Sequence, residues 1–152
     1  MEVRELMIGD YVKFKEHIYI IEEISAQGWI HFIHPETKTR INMTSDYIID
    51  LLEPVSLTKE ILEKNEFEKV IDEDGTECYR YYNRAADGYV KISLYDGGDS
   101  DWSIEIINYE KFNDNEIVYS NNFIFLKVHE LQHILRVCNL NKLANNLKLI
   151  NI

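Results

Sequence analysis

Gly88-Tyr-Val-Lys-Ile-Ser-Leu-Tyr95, Asp96-Gly-Gly-Asp-Ser-Asp101 and Trp102-Ser-Ile-Glu-Ile-Ile-Asn108 form one stretch in which two runs of period two flank a turn. Alternation sends successive side chains to opposite faces of a strand, and the Gly-Gly pair supplies the backbone freedom of a tight reversal, so the stretch predicts a β-hairpin. The same pattern stands just upstream: Glu68-Lys-Val-Ile71 and Glu77-Cys-Tyr-Arg-Tyr-Tyr82 flank Asp72-Glu-Asp-Gly75. A weaker run, Glu116-Ile-Val-Tyr-Ser120, completes an antiparallel meander downstream.

Outward from this sheet the period changes. Leu57-Thr-Lys-Glu-Ile-Leu-Glu-Lys-Asn65 predicts a short helix, with Thr58 as its cap, Glu60 and Ile61 in the first turn and Asn65 as its stop. Before it, Ile8-Gly9-Asp10 is a turn, and Tyr11-Val-Lys-Phe-Lys15, Ile18 to Ile24, Trp29 to His34 and Arg40 to Met43 are short strands. Ser45 to Leu52 is a turn of helix or a last strand. Closely spaced strands joined by tight turns suggest a small barrel, which leaves no exposed sheet edge. At the other end, Val128-His-Glu-Leu-Gln-His-Ile-Leu-Arg-Val-Cys138 has the helical period. With Leu131 as origin and about 100° per residue, Val128, Ile134, Leu135 and Cys138 cluster around it, and His129 and His133 fall on the opposite side. That face is expected outward. Asn139 stops the helix, and residues 141–149 form a second short amphipathic turn.

The expected fold class is α+β: an SH3-like barrel over residues 1–54, a linking helix over 55–67, and an antiparallel sheet packed on a C-terminal helix over 68–152. A chain of 152 residues, 45% hydrophobic and 28% charged, is long enough to bury a core. No apolar run reaches the ~18 residues of a membrane span, and the opening residues lack the basic start and apolar stretch of a secretory signal. Cys78 and Cys138 are too few and too distant for a disulfide framework, so two reduced, buried thiols in a cytoplasm are expected. Twenty-seven acidic against sixteen basic residues give a net charge of -11, which opposes direct binding to nucleic acid or anionic lipid. The acidic excess lies in residues 72–116; residues 117–152 are basic.

His129-Glu130-Leu131-Gln132-His133 is the only stretch that matches a chemical motif. On a helix this spacing sets two imidazoles one turn apart, where they can share a zinc ion while the glutamate activates its bound water. A zinc hydrolase needs a third ligand, and residues 134–152 contain no His, Asp or Glu. His17, His31 or His34 could supply one, but the odd separation of His31 and His34 points them to opposite strand faces. The expectation is therefore no metal, no cofactor and no catalytic residue, with zinc held by His129 and His133 and Glu130 as base the alternative. Asp96, Asp99 and Asp101 read as a hairpin turn in preference to a calcium loop.

Tyr79, Tyr81, Tyr82, Tyr89, Tyr95 and Trp102 crowd the meander, and one alternating set of them should be core. The outer set is the candidate protein-binding surface, because these side chains bring large contact area at small entropic cost. We take Tyr79, Tyr81, Tyr89, Tyr95 and Trp102, with Asp99 and Asp101 beside them, as the expected interface residues.

Three further segments carry a resemblance: Ile8-Gly9-Asp10-Tyr11-Val12; Pro54 with Leu57, Thr58, Glu60, Ile61, Leu62, Asn65 and Phe67; and Val128-His129 with Leu131-Gln132. In these, the chain resembles small uncharacterised proteins of gut bacteria and their phages or mobile elements, over most of its length. The resemblance implies no known activity. The resulting expectation is a non-enzymatic interaction protein of the cytoplasm that engages a host protein. A zinc-dependent hydrolase and an acidic decoy of a nucleic-acid-binding protein are the alternatives.

Overall fold

The computed structural model describes residues 6–86, 88–98, 101–110, 116–124 and 127–149; for residues 49, 85, 101, 110 and 116–124 it describes the backbone alone. The chain is α+β, with two antiparallel five-stranded sheets and a few helices. It divides into two compact units, one of Met1–Ser56 and Lys127–Leu147, the other of Leu57–Leu126 and Lys148–Ile150.

In the first unit, β1 (Tyr11–Phe14), β2 (His17–Ile24), β3 (Trp29–Ile33) and β4 (Arg40–Thr44) follow one another as a meander. A helical turn, α1 (Ser45–Ile48), and a 3-10 turn (Ile49–Leu51) lead into β5 (Leu52–Pro54), which returns to pair with β1. The sheet order is therefore β4-β3-β2-β1-β5. Among the described residues no pairing of β4 with β5 closes it into a barrel. Alternation sets its core: Val12, Phe14, Tyr19, Ile21, Ile30, Phe32, Ile48 and Leu52 are buried together with Leu6.

The second unit begins with α2 (Lys59–Lys64), whose N-cap Thr58 accepts from the Ile61 amide through Oγ1 and leaves one fewer orphan donor in the first turn. Asn65 ends it as expected, by a device that local sequence does not reveal. Its Nδ2 donates to Ile61 O at 2.7 Å and to Lys148 O at 2.8 Å, while its Oδ1 accepts from Lys148 N at 2.7 Å. Then come β6 (Glu68–Ile71), β7 (Glu77–Ala85), β8 (Gly88–Asp96), β9 (Asp101–Glu110) and β10 (Glu116–Ile124), paired strictly in sequence order.

Register assigns the two faces of this sheet. Tyr79 opposes Leu94, which opposes Ile104; Tyr81 opposes Ile92, which opposes Ile106. That row, with Trp102, is the buried face, and Tyr79 and Trp102 meet edge to face at 6.2 Å. Cys78, Arg80, Tyr82 and Arg84 of β7 lie on the other face, opposite Tyr95, Ser93, Lys91 and Tyr89 of β8.

The C-terminal helix α3 (Val128–Val137) and the short α4 (Asn141–Asn145) belong to the first unit. Sequence reading set the helix against the sheet of residues 68–120; its observed partners are instead the turn and strand at Gly9–Tyr11. The long insertion leaves and returns at one place. Ser56 and Lys127 form an antiparallel bridge, and the Val128 amide donates to Val55 O at 2.9 Å.

Candidate functional site

Asp10 is fully buried at 0% exposure in the turn before β1, where an uncompensated carboxylate would be costly. Three donors surround it. The Met7 amide donates to Oδ2 at 2.8 Å, Arg136 Nη1 to Oδ1 at 2.7 Å, and His133 Nε2 lies 2.8 Å from Oδ2. Gln132, also at 0% exposure, fills the gap between helix and strand. Its Oε1 accepts from the Tyr11 amide at 3.1 Å, and its Nε2 donates to Gly9 O and Ala144 O, each at 2.9 Å. Tyr11 Oη donates to Leu147 O at 2.9 Å. The turn, β1, α3 and the chain after α4 are thus bound by one polar network. Gly9 has φ of +90°, and a Cβ there would lie 3.0 Å from Arg136 Nη2, so glycine meets both the backbone and the space requirement.

This network revises the sequence view of the helix. His129 is buried at 5% exposure, not outward, and His133 is half-buried against Asp10. The two rings stand 5.8 Å apart, edge to face, as the one-turn spacing requires. The buried arc of α3 holds Val128, His129, Leu131, Gln132 and Leu135, whereas Ile134 and Cys138 are only half-buried. Counting apolar residues alone placed the arc too far toward Ile134, because polar side chains bonded to the first strand are buried too.

Two side chains of the histidine motif have partners of their own. Glu130, the would-be base, caps the start of its own helix: its Oε2 accepts from the Lys127 amide at 2.7 Å. Nε2 of His133, a ring nitrogen that would have to hold zinc, faces Asp10. Among the described residues no group of three His, Cys, Asp or Glu side chains is placed to hold a metal ion. His34 does not join the pair on α3. Its Nδ1 accepts from the Glu36 and Thr37 amides at 3.3 and 3.2 Å, closing the turn after β3, and its ring stands 6.1 Å from that of His17.

On the second sheet the expected interface residues separate. Tyr79 at 1% and Trp102 at 5% exposure are core and present no surface, which corrects their assignment as binding residues. They occupy the same alternating row as Ile92 and Ile104, and period two cannot say which row of a two-sided sheet faces inward. Tyr81 shares that buried row at half-burial, with its ring 5.4 Å from Phe67. Tyr95, half-buried on the opposite face, stands across from Cys78 and diagonal to Arg80, which pairs with Asp72. Asp99, and the side chain of Asp101, lie outside the described residues. Asp96 takes part in the hairpin turn: Oδ1 accepts from the Gly98 amide at 3.0 Å, and Oδ2 pairs with Lys59 at 2.5 Å.

The outer face carries an aromatic ladder that only the register reveals. Arg84, Tyr89 and Tyr109 stand side by side across three strands, and Tyr82 is diagonal to Tyr89. Tyr89 and Tyr109 stack at 5.1 Å and 20°, Tyr82 and Tyr89 meet at 5.9 Å, and the Arg84 guanidinium lies 5.7 Å from the Tyr82 ring centre. Tyr82 is 38% exposed and Arg84 is exposed. Sequence reading named Tyr89 but missed Tyr109, which lies past the assigned end of its strand, and Arg84, which lies past the end assigned to β7.

The thiols carry no reactive signature. Burial pushes the pKa of Cys78 up, and burial does the same to Cys138, so both remain protonated near neutrality. Among the described residues no helix is long and apolar enough to cross a membrane. Comparison with protein-family models, with curated proteins and with solved structures found no match to this chain.

Proposed function

We propose that this chain is a non-enzymatic protein-interaction module of the cytoplasm, an accessory factor of a phage or mobile element that engages a host protein. The observation that carries the reading is the ladder of Tyr82, Tyr89 and Tyr109 with Arg84 on the outer face of the second sheet. Tyrosine and arginine side by side give large, stiff contact area with polar ends, the composition that dominates protein recognition surfaces. Asp10, Glu130, Gln132 and His133 serve internal bonds, which gives Glu130 and His133 of the one motif with catalytic spacing a structural role and supports the non-enzymatic reading. The resemblance to phage and mobile-element proteins supports the host-directed role. We read the first unit as an SH3-like barrel, from its consecutive meander and the return of β5 to β1, that carries the second unit as an insertion.

Affinity capture from the lysate of the encoding organism tests this reading, with the full chain and a Tyr82→Ser/Tyr89→Ser/Tyr109→Ser variant compared at equal loading. One protein recovered in stoichiometric amount by the parent chain and lost from the variant is expected. Elemental analysis runs beside it: one zinc per chain, lost in His129→Ala or His133→Ala, would replace the reading with that of a metal enzyme. Capture that survives the triple substitution would move the interface elsewhere.

A further inference from the structure

We infer that the ladder face of the second sheet takes an extended peptide segment carrying one or two carboxylates beside aromatic or apolar side chains, an inference that rests on the protein-interaction reading. Its basis is a local inversion of charge. The whole chain carries -11, yet two of its cations, Arg84 and Lys91, stand on the ladder face, Arg84 opposite Tyr89 and Lys91 opposite Tyr82. Among the described residues neither is ion-paired, whereas Arg80 on the same face is paired with Asp72, and Lys59 and Lys69 share Glu77. In a chain with so large an acidic excess, two cations with no ion pair among the described residues, beside three tyrosines, form an anion-accepting spot.

The same face supplies the rest of a peptide site. Ile107 lies opposite Lys91 and is half-buried, so the cations border an apolar floor as well as aromatic rings. The Arg84 guanidinium rests over the Tyr82 ring, which holds its planar fork in place to meet a carboxylate by two parallel hydrogen bonds. Charge magnitude decides between a peptide and a nucleic acid. A polyanion brings every phosphate into the field of a chain of net charge -11, while a segment with one or two carboxylates brings only what Arg84 and Lys91 neutralise. A basic segment would be drawn to the chain at long range, but on this face it would meet Arg84 and Lys91.

Fluorescence anisotropy on the full chain tests the inference with three labelled probes: a short peptide of alternating Glu and Tyr, the matching peptide of alternating Ser and Tyr, and oligouridylate. The Glu-Tyr peptide is expected to bind about tenfold more tightly than the Ser-Tyr peptide, and Arg84→Gln/Lys91→Gln, a change of exposed and half-buried side chains checked by thermal melting, should remove that difference. Equal affinity for the two peptides, or a preference for Glu-Tyr that survives the double substitution, overturns the anionic partner while leaving a tyrosine-mediated protein interface standing. Failure of both peptides to bind overturns the peptide site on this face; the lysate capture then still reports independently on a folded protein partner. Oligouridylate binding abolished by the same substitutions would overturn both readings, since the ladder would then be a base-stacking platform.

Discussion

At the residue scale, Asp10 is the position on which the first unit turns. Its carboxylate is enclosed and faces one permanent cation, one histidine and one backbone amide. Asp10→Ala should cost about 3–5 kcal/mol in denaturant melts, because it leaves the Arg136 guanidinium largely buried without its partner. His133→Gln, which can still donate to Asp10 from a half-exposed site, should cost about 1 kcal/mol. Equal losses for the two would mean that the network hangs on the histidine. Glu77 is the other informative carboxylate: hydrogen bonds from Lys69 and then Lys59 hold its pKa down at about 2. Because the folded value lies below the ordinary 4.5, the stability this group contributes is present above that ordinary value and is lost as pH falls toward 2. Carboxyl NMR titration should place its midpoint well below those of the exposed glutamates, and Lys69→Ala should raise it. An unchanged midpoint in that variant would assign the depression elsewhere.

At the element scale, α3 shows what hydrophobic periodicity does and does not see. It located the helix to within a residue at its C-terminal end and picked out Leu131, which is fully buried. Leu131→Ala should therefore lower stability by about 2–5 kcal/mol. Glu130 needs a finer distinction than a surface residue would. Glu130→Gln keeps an acceptor for the Lys127 amide and should stay within roughly 0.5 kcal/mol of the parent, while Glu130→Ala removes that hydrogen bond and should cost about 1 kcal/mol. If the glutamine and alanine variants melt alike, the cap contributes nothing. Periodicity failed for Gln132 and His133 because it scores side chains by polarity, and their burial is made tolerable by acceptors and donors at Gly9, Asp10 and Tyr11. Both clusters stood out in the sequence as separate motifs, and nothing local says that one fits the other.

For the whole molecule, the first unit is discontinuous: its sheet is complete by Pro54, but the helix that bonds to β1 arrives only after the insertion. Truncation after residue 126 should therefore unfold the first unit, with loss of amide dispersion for residues 11–54 in a heteronuclear spectrum. A fragment that keeps native shifts there would show that the five-stranded sheet folds without α3. Sequence by itself determined most of the secondary structure of this protein: the alternating runs, the capped helix at Thr58, the hairpin turns and the amphipathic C-terminal segment all follow from interactions between residues a few positions apart, whereas the ends of the long strands and the form of Ser45 to Leu52 do not. It also fixed the global charge, since that is a sum over residues. Tertiary structure alone decided which unit receives the last helix, which tyrosines are core and which form the outer ladder, and that the histidine motif is closed by an aspartate more than a hundred residues away. The physical reason is common to all three. A polar side chain can be buried only where a distant partner satisfies it, and a two-sided sheet chooses its inner face by what packs against it, so neither is encoded in any local window of the chain.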